Sequence, residues 1–198
     1  MRYSVIAIER EYASGGREIG ERIARELGVP CYGERILELA AEKMGKSVQE
    51  LRDIEETMTG SFLYGMYMMA NMWKGVTNGL TDAQMLAMTE SDIIRQLSFS
   101  PCVLVGRSAT GVLRKQGNVL RVFVHADEET RLKRSVEIYG DDPGQAAVYL
   151  KKMDRRRAAY FKANAGMEWK QPEAYHLMVN SGLLEVDTIV SMLKSAAK

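Results

Sequence analysis

Residues 11–17 read Glu-Tyr-Ala-Ser-Gly-Gly-Arg. They stand between a short apolar run, 3–8, and a segment, 17–27, whose Ile19, Ile23, Ala24 and Leu27 recur at helical spacing. A strand, a glycine-bearing turn and a helix N-terminus make an anion site, because successive N–H groups point into one concavity and the helix end adds positive potential. Ser14, Gly15 and Gly16 supply the flexible backbone, and Glu18 opens the helix. The lysine that commonly bridges the outer phosphates of a bound nucleotide is absent, and Arg17 stands in its place. The hydroxyl that commonly follows to hold magnesium is absent too, since Glu18 and Ile19 come next. An ordinary strand-to-helix turn is the competing reading of the same residues.

Other charged groups cluster where chemistry could use them. Arg107 and Ser108 follow the apolar run 101–106, so Arg107 could hold an acceptor phosphate or could open a helix through an ion pair. Arg131 and Arg134 share one helix face, with Glu128 and Glu129 as partners if that face is solvated. Residues 151–157 hold five basic side chains, among them Arg155 and Arg157, with Asp154 beside them; Lys151 and Lys152 read as solvated. Such arginines could neutralise a transferring phosphoryl group and exclude water on closure. A nucleic-acid patch is the alternative for this stretch, given Tyr160, Phe161 and Trp169 nearby. The net charge of only +1, without a second basic cluster, weighs against it. His125 and His176, lacking neighbouring ligands, read as structural.

Five apolar runs must position these groups: 3–8, 29–32, 101–106, 118–126 and 174–180. They are largely continuous, as in strands covered on both faces. Helical patterns at 17–27, 34–44, 82–97, 127–139, 143–163 and 184–196 alternate with them, which predicts βαβ units and a mostly parallel sheet with ligands at the strand C-termini. With 198 residues, one domain is expected, 1–198, carrying helical excursions at about 47–81 and 143–170. Five methionines between Met58 and Met72 suit flexible packing or a homodimer contact. Cys31 and Cys102 read as free buried thiols. Met1-Arg2 leads straight into a strand and no apolar run reaches membrane length, so a cytoplasmic protein without a membrane partner is expected.

Taken in order, residues 10–45, 101–134, 149–169 and 174–193 resemble the cytidylate kinase-like family, a divergent branch of the P-loop nucleoside monophosphate kinases. The resemblance implies a P-loop kinase fold with a doubly wound, five-stranded parallel sheet, a helical lid and an acceptor-side helical excursion. It implies ATP and Mg2+ as cofactors and phosphoryl transfer to a nucleoside monophosphate, with cytidylate first. Members of this branch also lack the standard lysine. Arg17, Arg107, Arg155 and Arg157 would then be catalytic. Ser14, Gly15, Gly16, Arg17, Glu18, Arg131 and Arg134 would bind ATP, and Tyr32, Arg35, Arg107 and Ser108 the acceptor, with Glu34 a further candidate. Ser108 replaces an aspartate that contacts the nucleotide in standard cytidylate kinases, and Ala159 replaces a lid arginine. Two alternatives stay open: a nucleotide-binding sensor or partner protein with little turnover, and a kinase of the same fold with a non-nucleotide acceptor.

Overall fold

The computed structural model describes residues 2–57 and 81–198. The methionine-rich stretch 58–72, and with it the expected dimer contact, lies outside them. Five strands form: β1 Val5–Arg10, β2 Cys31–Tyr32, β3 Cys102–Val105, β4 Val119–His125 and β5 Leu177–Asn180. All pair in parallel in the order β2-β3-β1-β4-β5. Among the described residues the helices are α1 Gly16–Leu27, α2 Arg35–Met44, α3 Val48–Thr57, α4 Asp82–Leu97, α5 Ala109–Val112, α6 Glu128–Glu137, α7 Ala146–Ala165 and α8 Val186–Ala197.

The apolar runs become strands because both faces of the sheet are covered. Within β1, Val5 and Ala7 enter one buried cluster and Ile6 and Ile8 enter the other. That follows from side chains alternating between faces. Ile19 and Ile23 of α1 join Ile189 and Leu193 of α8 on one face; Ile36 and Leu37 of α2 and Leu86 and Ile94 of α4 cover the opposite face. Each of these fully buried side chains contributes roughly 1.5–3 kcal/mol. The ends of α4 and α6 are fixed locally: Thr81 and Gln84 form a reciprocal capping box, and Asp127 accepts a 2.8 Å bond from the Thr130 N–H.

A third cluster joins Phe123 of β4 to Phe161, Ala165, Trp169 and Tyr175. It ties the C-terminal half of α7 into the core, although the sequence places the whole of 143–170 in a lid. Phe161 is fully buried, whereas Lys151, Lys152 and Arg155 near the other end are exposed. The exposed charges therefore gather in the first half of the helix, although Ala146 and Leu150 there are buried too. Among the described residues no helix is long and apolar enough to cross a membrane.

Candidate active site

The chain leaves β1 for α1 on one face of the sheet and leaves β3 for α5 on the other. Ligands of open parallel sheets bind at such a reversal. A cleft of about 320 Å³ lies there, lined by Glu9, Arg10, Arg107, Ser108, Arg157 and Tyr160, with Arg52, Glu55 and Arg156 also on its walls. The sequence reading ended the first strand at Ile8, but β1 runs on to Arg10. Glu9 and Arg10 consequently sit inside the site rather than in the turn.

Arg10 is held by close approach of the neighbouring strand. Gly106, at φ 80, lies directly under the guanidinium, and a Cβ there would overlap it. Arg107 and Ser108 continue in left-handed backbone, at φ 53 and 55. Each such non-glycine residue costs roughly 1–2 kcal/mol, and strain of this kind collects at functional sites. Burial pushes the Arg10 pKa below its ordinary range; Glu9 opposes that shift and Arg107 adds to it. Burial likewise pushes Arg157 down, to about 9, with Arg10 adding to the shift. Arg157 donates to the Arg10 carbonyl at 3.0 Å and lies 5.5 Å from the centre of the Tyr12 ring. Neither guanidinium has an ion-pair partner among the described residues, so two partly buried like charges share one wall.

Arg107 is treated differently. Its guanidinium pairs with Glu55 of α3 and with Glu90 of α4, and the Tyr160 hydroxyl donates to Glu90. Burial works against the Arg107 charge, but Glu90 and Glu55 outweigh it and hold the pKa above its ordinary range. Burial raises Glu90 to about 7, although Arg107 pulls it down.

The phosphate-loop candidates gather at the start of α1. Gly15 caps the helix in left-handed conformation, φ 76, and the N–H groups of Gly15, Gly16, Arg17 and Glu18 have no hydrogen-bond partner among the described residues. Arg134 lies against Gly15 and bonds Glu18 at 2.7 Å. That donor set fits the phosphates of a nucleotide. It does not supply a metal set: the Ser14 hydroxyl is buried between the Glu11 and Val124 carbonyl oxygens, 2.9 and 3.2 Å away. Among the described residues no group of three or more His, Cys, Asp or Glu side chains converges as a metal site.

Several expected residues stand elsewhere. The Arg17 side chain is 75% exposed and pairs with Glu21 one turn along, because the second helical position turns it away from the cleft. Arg35 pairs with Glu38 and Glu42 on the outer face of α2, and Tyr32 packs on the apolar core. Glu34 does line the cleft and pairs with Arg52 at 2.5 Å. Arg131 is consumed internally by Asp154, at 2.6 Å, and the Tyr12 carbonyl. Asp154 also accepts from the Tyr12 N–H, at 2.8 Å, so α7 is fastened to the loop after β1. Arg155 is exposed, and Arg156 takes the cleft position instead. His125 stacks on Phe123, and His176 accepts from the Arg121 N–H through Nδ1, as structural histidines do. Both cysteines are free; Cys102 is buried but Cys31 only partly so.

Glu9 and Arg10 are the functional candidates that motif matching missed. The signal was present: two charged residues closing a strand that is otherwise apolar, at the edge where parallel sheets bind ligands.

A crystal structure of an uncharacterized protein from Eubacterium ventriosum shares the fold over nearly the full length, at a TM-score of 0.70 and 23% identity, covering 98% of this chain and 97% of the other. Shikimate kinase from Bacteroides thetaiotaomicron matches at a TM-score of 0.57 and 13% identity, covering 97% and 96%. Shikimate kinase from Acinetobacter baumannii, in complex with shikimate, matches at 0.51 and 12%, covering 98% and 92%. These likenesses confirm a P-loop kinase fold. No curated protein sequence matches significantly. The profile of the cytidylate kinase-like family matches residues 5–183, and the chain belongs to that family.

Proposed function

We propose that the protein transfers the γ-phosphoryl group of ATP to a nucleoside monophosphate, with cytidylate the first acceptor to test. The observation that carries this reading is the pair of partly buried guanidiniums, Arg10 and Arg157, without ion-pair partners among the described residues, on the wall of a cleft beside the open N-terminus of α1. A phosphate monoester placed there would neutralise both. A triphosphate on the N–H groups of the loop after β1 would lie on the α1 side of the same sheet edge. Catalysis would then consist of positioning and charge neutralisation, with no covalent intermediate. Arg107, Arg156 and Arg157 would serve the acceptor side. Arg17 would serve the triphosphate after leaving Glu21, an exposed pairing worth only about 0.3–0.5 kcal/mol.

A coupled ATP-turnover assay with Mg2+ and a panel of nucleoside monophosphates tests the reading. Turnover with one acceptor and none without it is expected. Arg17→Ala should weaken ATP binding by roughly 1.5–3 kcal/mol and leave monophosphate binding unchanged. Equal ATP consumption with and without every acceptor would overturn the proposal. One observation favours a second reading, a nucleotide-binding sensor with little turnover: Arg107 is already neutralised by Glu55 and Glu90. ATP binding without turnover on any acceptor would select it.

A further inference from the structure

Phosphate loops of the form G-x-x-x-x-G-K-[ST] open on a glycine and carry their phosphate-bridging lysine directly after the second glycine. Laid on residues 10–17, that form meets its second glycine at Gly15, but it meets Arg10 where it opens on glycine and Gly16 where it carries lysine. Laid one residue later, it meets Glu11 at the opening and Arg17 at the lysine. The sequence favours the later alignment, because a cation then stands in for a cation.

The packing favours the earlier one. A Cβ on Gly16 would lie 2.5 Å from the Cβ of Arg10 and 3.0 Å from its Cγ. The end of β1 and the start of α1 therefore look into one space that admits one side chain. Gly16 is not among the glycines with left-handed backbone, so contact and not conformation excludes a side chain there. At the far end, a Cβ on Gly106 would overlap the Arg10 guanidinium. The Arg10 side chain thus runs from the first residue of α1 to the residue before Arg107, with a glycine cleared at each end, and it lines the cleft. Arg17 faces away and pairs with Glu21, and the Glu11 carboxylate is occupied by the Ala126 N–H and Lys170.

We propose that glycine and cation have exchanged places between positions 10 and 16, so that Arg10, reaching in from the strand, does the work of the loop lysine and spans the transferring phosphoryl group. The inference rests on the phosphoryl-transfer reading and assigns it a further catalytic residue. Transfer forms a bond from an acceptor phosphate oxygen to the γ-phosphorus and breaks the bond to the β–γ bridging oxygen, whose electron pair leaves with ADP. A guanidinium offers donors along two edges where an ammonium is a point charge. Arg10 can therefore hold a γ-oxygen on its Gly16 side and an acceptor oxygen on its Gly106 side. A cation confined to the acceptor would need no clearance at Gly16.

Binding of the non-hydrolysable ATP analogue AMP-PNP and of CMP to the full chain, with turnover at saturation, tests this. Arg10→Met should weaken AMP-PNP by about tenfold or more and lower turnover at saturation by about 100-fold or more. Gly16→Lys alone should bind AMP-PNP worse than wild type, because two side chains compete for one space. The exchange variant Arg10→Gly with Gly16→Lys should regain AMP-PNP affinity to within about threefold of wild type, the span of a few tenths of a kcal/mol, whereas Arg10→Gly with Gly16→Met, which restores bulk without charge, should not. Urea unfolding identifies any variant that fails to fold, and Arg10→Met then decides by itself. An Arg10→Met protein that loses CMP affinity but keeps AMP-PNP affinity overturns this inference alone, leaving Arg10 an acceptor residue. So does one whose turnover at saturation is unchanged, or a Gly16→Lys protein that binds as wild type does. A wild-type protein without affinity for AMP-PNP or any monophosphate removes the phosphoryl-transfer reading as well.

Discussion

Arg10→Met separates a binding arginine from a structural one, because the two roles predict opposite results. The guanidinium lies against Gly106 and near the like charges of Arg107 and Arg157, without an ion-pair partner among the described residues. Methionine is unbranched and flexible enough to fill the same channel. Its introduction removes the desolvation of one buried cation and its repulsion of Arg157, at the expense of the attraction that Arg10 exerts on Glu9. Glu9 compensates by taking up a proton more readily, its pKa being already raised by burial. The net change in folding stability should stay within about 1 kcal/mol, read as the midpoint of urea unfolding at unchanged slope. Phosphate binding should behave otherwise. Loss of one charge-assisted bond costs roughly 1.5–3 kcal/mol, which is about a 10- to 150-fold rise in Kd for a nucleoside monophosphate by titration calorimetry. A loss of stability above about 2 kcal/mol with unchanged phosphate affinity would refute the reasoning and make Arg10 a structural partner of Glu9.

Gly106→Ala should destabilise the fold by about 2 kcal/mol or more, because its φ is left-handed and the new methyl would displace the Arg10 guanidinium; phosphate affinity should fall with it. Glu90 sets a pH dependence. Its folded pKa is raised from 4.5 to about 7, so its contribution to stability is full below about pH 4.5 and is lost as pH rises through 7. Glu90→Gln should flatten the stability profile across that window relative to wild type, and a wild-type profile already flat there would show that Arg107 and Tyr160 fully offset the burial of the Glu90 carboxylate. Phe161→Ala should cost about 3–5 kcal/mol by denaturation. In the parent protein, amides of 158–165 should exchange hydrogen near the global rate while those of 146–153 exchange faster. Uniform protection along α7 would mean that no part of it moves as a lid.

The alternation of continuous apolar runs with amphipathic segments determined the class of fold by itself. Periodicity is a local property, so five strands, the helices between them and the ligand edge could all be read from residue order. The family resemblance rested on residues that are contiguous in sequence, and the glycine turn before α1 was legible for the same reason. Which arginines meet in the cleft was not a local property. Arg17 occupies the position where a lysine would be sought, but the rotation of about 100° per helical residue turns it toward Glu21. Arg10 was hidden because the strand runs two residues further than its apolar stretch, and because its place depends on Gly106 approaching from the adjacent strand. The sequence left Arg107 open between a phosphate and an ion pair, and it is neutralised by Glu55 and Glu90 from two other helices. The lid helix looked detachable from its charge, yet Phe161 and Ala165 anchor half of it beneath β4. In each case the deciding partner is distant along the chain. Charge balance and burial are sums over neighbours in space, and the folded structure supplies those neighbours.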